Sequence, residues 1–64
     1  MKVNGAIVLL DQNQTLFNFL EAQSFDIKTI AVERNGEIIS RTAYKDVMLS
    51  DGDTLEIVRF VGGG

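Results

Sequence analysis

The chain has 64 residues, enough for one small domain and no more. It contains no Cys and no His, which excludes a disulfide framework, thiolate or imidazole metal ligation, and Cys- or His-dependent catalysis. Six basic residues against nine acidic ones leave a net charge of −3, and the basic ones are scattered singly, so basic partners are favoured and a nucleic-acid surface is not expected.

The longest uncharged apolar stretch, Ala6 to Leu10, is far too short to cross a bilayer, and no cationic leader opens the chain. A soluble, cytoplasmic protein with no membrane partner is the expectation. Met1–Val3 and Ala6–Leu10 read as two strands joined by Asn4-Gly5, the strongest two-residue hairpin signal because both residues tolerate positive φ. Pairing around that turn sets Val3 opposite Ala6 and Met1 opposite Val8. Met1, Val3, Ala6, Val8 and Leu10 then share the inner face, and Lys2, Ile7 and Leu9 the outer one.

After a polar break at 11–14, Thr15 stands as the N-cap of a helix from Leu16 to Gln23, with Leu16 and Leu20 central to an apolar stripe flanked by Phe17 and Phe19. Ser24–Lys28 reads as a loop with Phe25 and Ile27 tucked beneath it. Thr29–Arg34 and Glu37–Ser40 form a second hairpin about Asn35-Gly36. A short helical turn is expected at 42–45, then a tight turn at Ser50-Asp51-Gly52-Asp53. Thr54–Val61 alternates as a fifth strand, with Leu55 and Ile57 inward and Glu56, Val58 and Phe60 outward. Two hairpins, one helix between them and a final strand indicate the α+β class. The first and last strands can pair in parallel within a mixed five-stranded sheet, with the helix packed on one face; this is the β-grasp, or ubiquitin-like, arrangement. The domain spans residues 1–61, followed by a flexible glycine tail at 62–64.

No side chain is placed to do chemistry. Glu33 with Glu37, and Asp51 with Asp53, are carboxylate pairs that could suggest acid/base or metal work, but each flanks a tight turn, where a solvated carboxylate is the usual finding. No metal site is expected. Nucleotide-binding glycine motifs are missing, so the chain should not hold a nucleotide or any other cofactor itself. The distinctive feature is Gly62-Gly63-Gly64 directly after a strand. A frayed tail is the bland reading, but residues without Cβ can also lie extended in a channel too narrow for a side chain and deliver one reactive group, the Gly64 carboxylate. A carboxylate must be activated before a nucleophile can attack it, most simply as an acyl-adenylate made by a partner that supplies ATP and Mg²⁺. On this reading the chain is a substrate and not an enzyme.

The length, Asn35-Gly36-Glu37-Ile38-Ile39 followed by Arg41, Leu49-Ser50-Asp51-Gly52-Asp53, and the ending Glu56-Ile57-Val58-Arg59-Phe60-Val61-Gly62-Gly63-Gly64 together resemble the sulfur carrier proteins of bacterial thiamine biosynthesis, over the whole chain. Ser40 and Tyr44 depart from that pattern, standing where proline and tryptophan are common. The resemblance implies a cycle. An adenylyltransferase of the ubiquitin-activating type converts the Gly64 carboxylate to an acyl-adenylate. A persulfide donor, a cysteine desulfurase or similar, then supplies sulfur, and the thiocarboxylate passes it to thiazole synthase. Gly62 and Gly63 would keep the approach slim, and Ile7, Leu9, Val58 and Phe60 would form a docking patch on the outer face. Three alternatives stay open: the small subunit of molybdopterin synthase, a ubiquitin-like protein modifier, and a non-reactive interaction domain.

Overall fold

A computed structural model of the chain describes residues 1–10 and 13–60. Asn4 and Gly5, at φ +51° and +85°, make the tight turn between Lys2–Val3 (β1) and Ala6–Ile7 (β2). Asn35 and Gly36, at φ +52° and +88°, do the same between Ile30–Arg34 (β3) and Glu37–Ile39 (β4). Both residues of each turn sit at positive φ, the condition a two-residue hairpin imposes and the reason these two dipeptides mark hairpins so clearly. The last strand, Thr54–Arg59 (β5), enters between them and gives the sheet order β2-β1-β5-β3-β4, with β1 and β5 parallel and all other pairs antiparallel. This mixed sheet with one helix is the β-grasp arrangement.

The helix, Leu16–Ala22 (α1), starts where Thr15 Oγ1 accepts the Asn18 N–H at 3.0 Å. Its two preceding free amides are taken up from outside the helix: Leu16 N–H donates to the Val47 carbonyl at 2.8 Å and Phe17 N–H to Tyr44 at 3.0 Å. The segment between β4 and β5 thus completes the helix start that a single N-cap cannot satisfy. At the other end Ser24, at φ +64°, closes the helix: Phe25 N–H reaches Leu20 O and Ser24 N–H reaches Glu21 O, both at 3.0 Å. This is the paired bonding of a Schellman cap with Ser in the place usually held by Gly. Leu16, Phe19 and Leu20 from the helix meet Ile30, Val32, Leu55 and Ile57 from β3 and β5, and Met1, Tyr44 and Leu49 complete the buried cluster.

Several expectations shift. The end of the loop expected at 24–28, together with Thr29, expected to open the third strand, forms a 3-10 turn, Ile27–Thr29, capped by the Asp26 carboxylate, which accepts the Lys28 N–H at 3.1 Å. The second 3-10 turn is Arg41–Ala43, one residue earlier than expected. Inner-face burial holds for Met1 and, in part, for Val3, Val8 and Leu10, but Ala6, on the edge strand β2, is exposed. Asp53, read as a solvated turn carboxylate, is buried. Expectations for Val61 through Gly64, including the tail boundary, lie outside the described residues.

Candidate functional site

β5 carries the chain toward Gly62-Gly63-Gly64 and is gripped on both sides. On the β1 side the ladder outlasts the strand: Asn4 N–H donates to Leu55 O at 2.9 Å, and the Asn4 side chain then accepts from Ile57 N–H at 2.7 Å and donates to Ile57 O at 3.2 Å. Its amide imitates one more residue of backbone. On the β3 side Asn35 N–H donates to Thr54 O at 2.8 Å while its Oδ1 accepts from Thr54 N–H at 2.9 Å. The asparagines that build the two hairpins therefore also seat the central strand.

The start of β5 is fixed by Asp53. Its Oδ2 accepts from Arg34 Nε at 3.0 Å and from the Ser50 N–H at 2.9 Å, and its Oδ1 accepts from Asn35 Nδ2 at 3.0 Å. Burial pushes this carboxyl up, but the Ser50, Asn35 and Arg34 donors outweigh it and hold it below the ordinary 3.8. Arg34 also donates to Met48 O at 3.2 Å, which ties β3 to the segment entering β5. A buried carboxylate that accepts three hydrogen bonds from this chain is a brace, not an acid/base group. Among the described residues no cluster of three acidic side chains could hold a metal ion, and no helix is long and apolar enough to cross a membrane.

The four residues expected to dock a partner are all exposed: Ile7 76%, Leu9 85%, Val58 60% and Phe60 54%. They do not form one patch. Ile7 is level with Lys2 and hence with Thr54, so it lies two strands from β5 and four residues short of Val58. That places them roughly 10 Å apart across the sheet and roughly 13 Å along it. Because β2 runs against β5, Leu9 lies further still from Phe60. Val58 instead neighbours Ala31 and shares a groove of about 250 Å³ with Ala31, Val32, Glu33, Ile38 and Glu56. Ile38, 77% exposed, was missed. The alternation of Glu37-Ile38-Ile39 on an edge strand was the available signal, since only one of two adjacent isoleucines can face inward. Gly62, Gly63 and Gly64 lie outside the described residues.

A match to the ThiS family spans residues 1–64. The chain is 46% identical over 65 residues to the sulfur carrier protein ThiS of Bacillus subtilis, covering 100% of this chain and 98% of that protein. It is 40% identical over 62 residues to a thiazole synthase of Paramagnetospirillum magneticum and 37% identical over 62 residues to one of Magnetococcus marinus, and it spans only 19% of the length of each. Among solved structures, the crystal structure of the thiamine biosynthesis protein ThiS from Geobacter metallireducens superposes with a TM-score of 0.84 at 32% identity, covering 98% of this chain and 96% of that one.

Proposed function

This chain belongs to the ThiS family, and on that premise we propose that it is a sulfur carrier of thiamine biosynthesis that works through the carboxylate of Gly64. The observation that carries the reading is the full-length likeness to a sulfur carrier protein, joined to a triglycine that follows the central strand. Gly64 is activated by an adenylyltransferase of the ubiquitin-activating type, which holds the ATP and Mg²⁺. A carboxylate oxygen attacks the α-phosphorus and pyrophosphate leaves. The terminal sulfur of a persulfide donor attacks the acyl carbon and displaces AMP. A thiol then cleaves the acyl disulfide, leaving a thiocarboxylate on Gly64 and the thiol oxidised in a new disulfide. Gly62 and Gly63 pass the narrow approach because no Cβ obstructs it.

Thiazole synthase is the proposed acceptor of the sulfur, and the chain itself is carrier and not catalyst. Two thiazole synthases contain a segment similar to this chain, which supports the pairing because a carrier in the same polypeptide meets its acceptor at high effective concentration. Val58 on β5 and Phe60 immediately after it, both outward and apolar, are docking candidates for whichever enzyme grips the tail. Incubation with the adenylyltransferase, ATP and a persulfide donor should produce, by intact mass, one oxygen-to-sulfur exchange, and fragmentation should map it to Gly64. Modification mapped to a side chain instead would overturn the proposal.

A further inference from the structure

Of the four asparagines in the chain, only Asn4 and Asn35 precede a glycine, and glycine offers the asparagine side chain an unhindered backbone nitrogen. That nitrogen can attack the asparagine Cγ. Its proton leaves with the side-chain nitrogen as ammonia, and the succinimide so formed takes up one water at either carbonyl, giving aspartate or isoaspartate. Both turns are exposed, and nothing lies within 4 Å of where a Cβ would stand on Gly5 or Gly36, so water has access to each. Both side chains are anchored to the start or middle of the central strand. Asn4 makes two bonds to the Ile57 peptide, while Asn35 donates from Nδ2 to Asp53 Oδ1 at 3.0 Å and accepts the Thr54 N–H on Oδ1 at 2.9 Å. Their partners differ in charge. Ile57 offers a neutral peptide, whereas Asp53 is a carboxylate, 5% exposed, that also accepts from Arg34 and Ser50.

We propose that Asn35-Gly36 is a self-modification site coupled to the seating of β5. When the corner between β3 and the start of β5 opens, the Asn35 amide loses both anchors and is free to react with Gly36. Hydrolysis then replaces a hydrogen-bond donor with an anion. In the aspartate product two carboxylates face each other across a contact that held a 3.0 Å hydrogen bond, and that like charge disfavours reclosure. Two cations flank the corner: Arg34, which already donates to Asp53 Oδ2 and to Met48 O, and Lys2, level with Thr54 on the far side of β5. A transient opening thereby becomes a lasting one. Asn4-Gly5 shares the chemistry without that outcome, because its aspartate product still accepts the Ile57 N–H and meets only a neutral carbonyl.

The test has two arms. In the first, the full chain is incubated at mildly alkaline pH, native and in denaturant, and peptide mapping follows aspartate and isoaspartate at position 35; native conversion should be slower by about tenfold or more, since it waits on opening. Equal rates would show that the two anchors do not restrain the amide. The second arm compares thermal unfolding of wild type, Asn35→Asp, Asn4→Asp, Asp53→Asn and the double variant Asn35→Asp/Asp53→Asn. Asn35→Asp should lower the unfolding temperature by about 4 °C or more, and Asn4→Asp by less. The double variant should be less destabilised than the sum of its single changes, because an amide and a carboxylate face each other again with their roles exchanged. If Asn35→Asp does not fold, recovery of folding in the double variant supports the proposal and its absence overturns it. Equal unfolding of Asn35→Asp and Asn4→Asp, or strictly additive effects in the double variant, would mean that Arg34 or Lys2 neutralises the new charge, and the coupling to β5 falls.

Discussion

Leu55 and Phe60 sit five residues apart on one stretch of chain and differ in every respect that matters for substitution. Leu55 is 0% exposed in the centre of the cluster, so Leu55→Ala should cost about 2–5 kcal/mol through lost burial and the cavity left behind. Phe60 is 54% exposed, and Phe60→Ala should cost less than about 1.5 kcal/mol of stability while weakening adenylyltransferase binding by about one to two orders of magnitude. Thermal unfolding and affinity on both variants check this, and a reversed pattern would mean that the two faces of β5 have been exchanged. Asp53 calls for a pH experiment. Its folded-state carboxyl lies below the ordinary 3.8, so its contribution is fully present above that value and is lost as the pH falls through the lower folded value. Asp53→Asn should destabilise the domain at neutral pH, and its loss of stability on acidification should be shallower than that of wild type. Denaturant unfolding at a series of pH values reads both effects; equal acid slopes would show that the ion pair with Arg34 is not what the acid limb reports.

At the scale of elements, α1 has seven residues, too short to persist alone, and depends on its ends. The Thr15 hydroxyl, the Tyr44 and Val47 carbonyls and the Ser24 turn together satisfy groups that the helix cannot. Ser24 occupies a left-handed position at φ +64°, which costs a non-glycine residue on the order of 1 kcal/mol. Ser24→Gly should therefore stabilise by about 1 kcal/mol and raise the unfolding temperature by about 4–8 °C in a domain of this size. A lowered unfolding temperature would mean that the Ser side chain contributes more than its backbone strain costs. Thr15, Asn4-Gly5 and Asn35-Gly36 were legible from local chemistry alone, because capping and positive φ are demands made within a few residues. The Ser24 cap was not. Ser is a weak marker of left-handed backbone, and here the packing of Phe25 against the core imposes the turn.

Across the whole molecule, β1 and β5 meet in parallel at the middle of the sheet, which joins the two ends of the sequence and makes β5 a rigid base for the glycines that follow. Gly63→Val should leave the circular dichroism spectrum and unfolding temperature unchanged while abolishing ATP–pyrophosphate exchange with the adenylyltransferase, because a branched side chain collides with a glycine-shaped channel. Undiminished exchange would remove the channel argument. The sequence by itself determined the two hairpins, the helix start, the inward and outward residues of β5 and the α+β class, since each depends on periodicity or on φ preferences read over a short window. It also showed the terminal triglycine on which the carrier proposal rests. Only the tertiary structure decided that Asp53 is a buried brace, because its partners Arg34 and Asn35 are 19 and 18 residues away in sequence and meet it only when β3 lies beside β5. The same holds for the outer face. Alternation tells which residues point outward, but lateral strand order and register decide which of them are neighbours, separating Ile7 and Leu9 from Val58 and setting Glu33 against Glu56 beside Ile38.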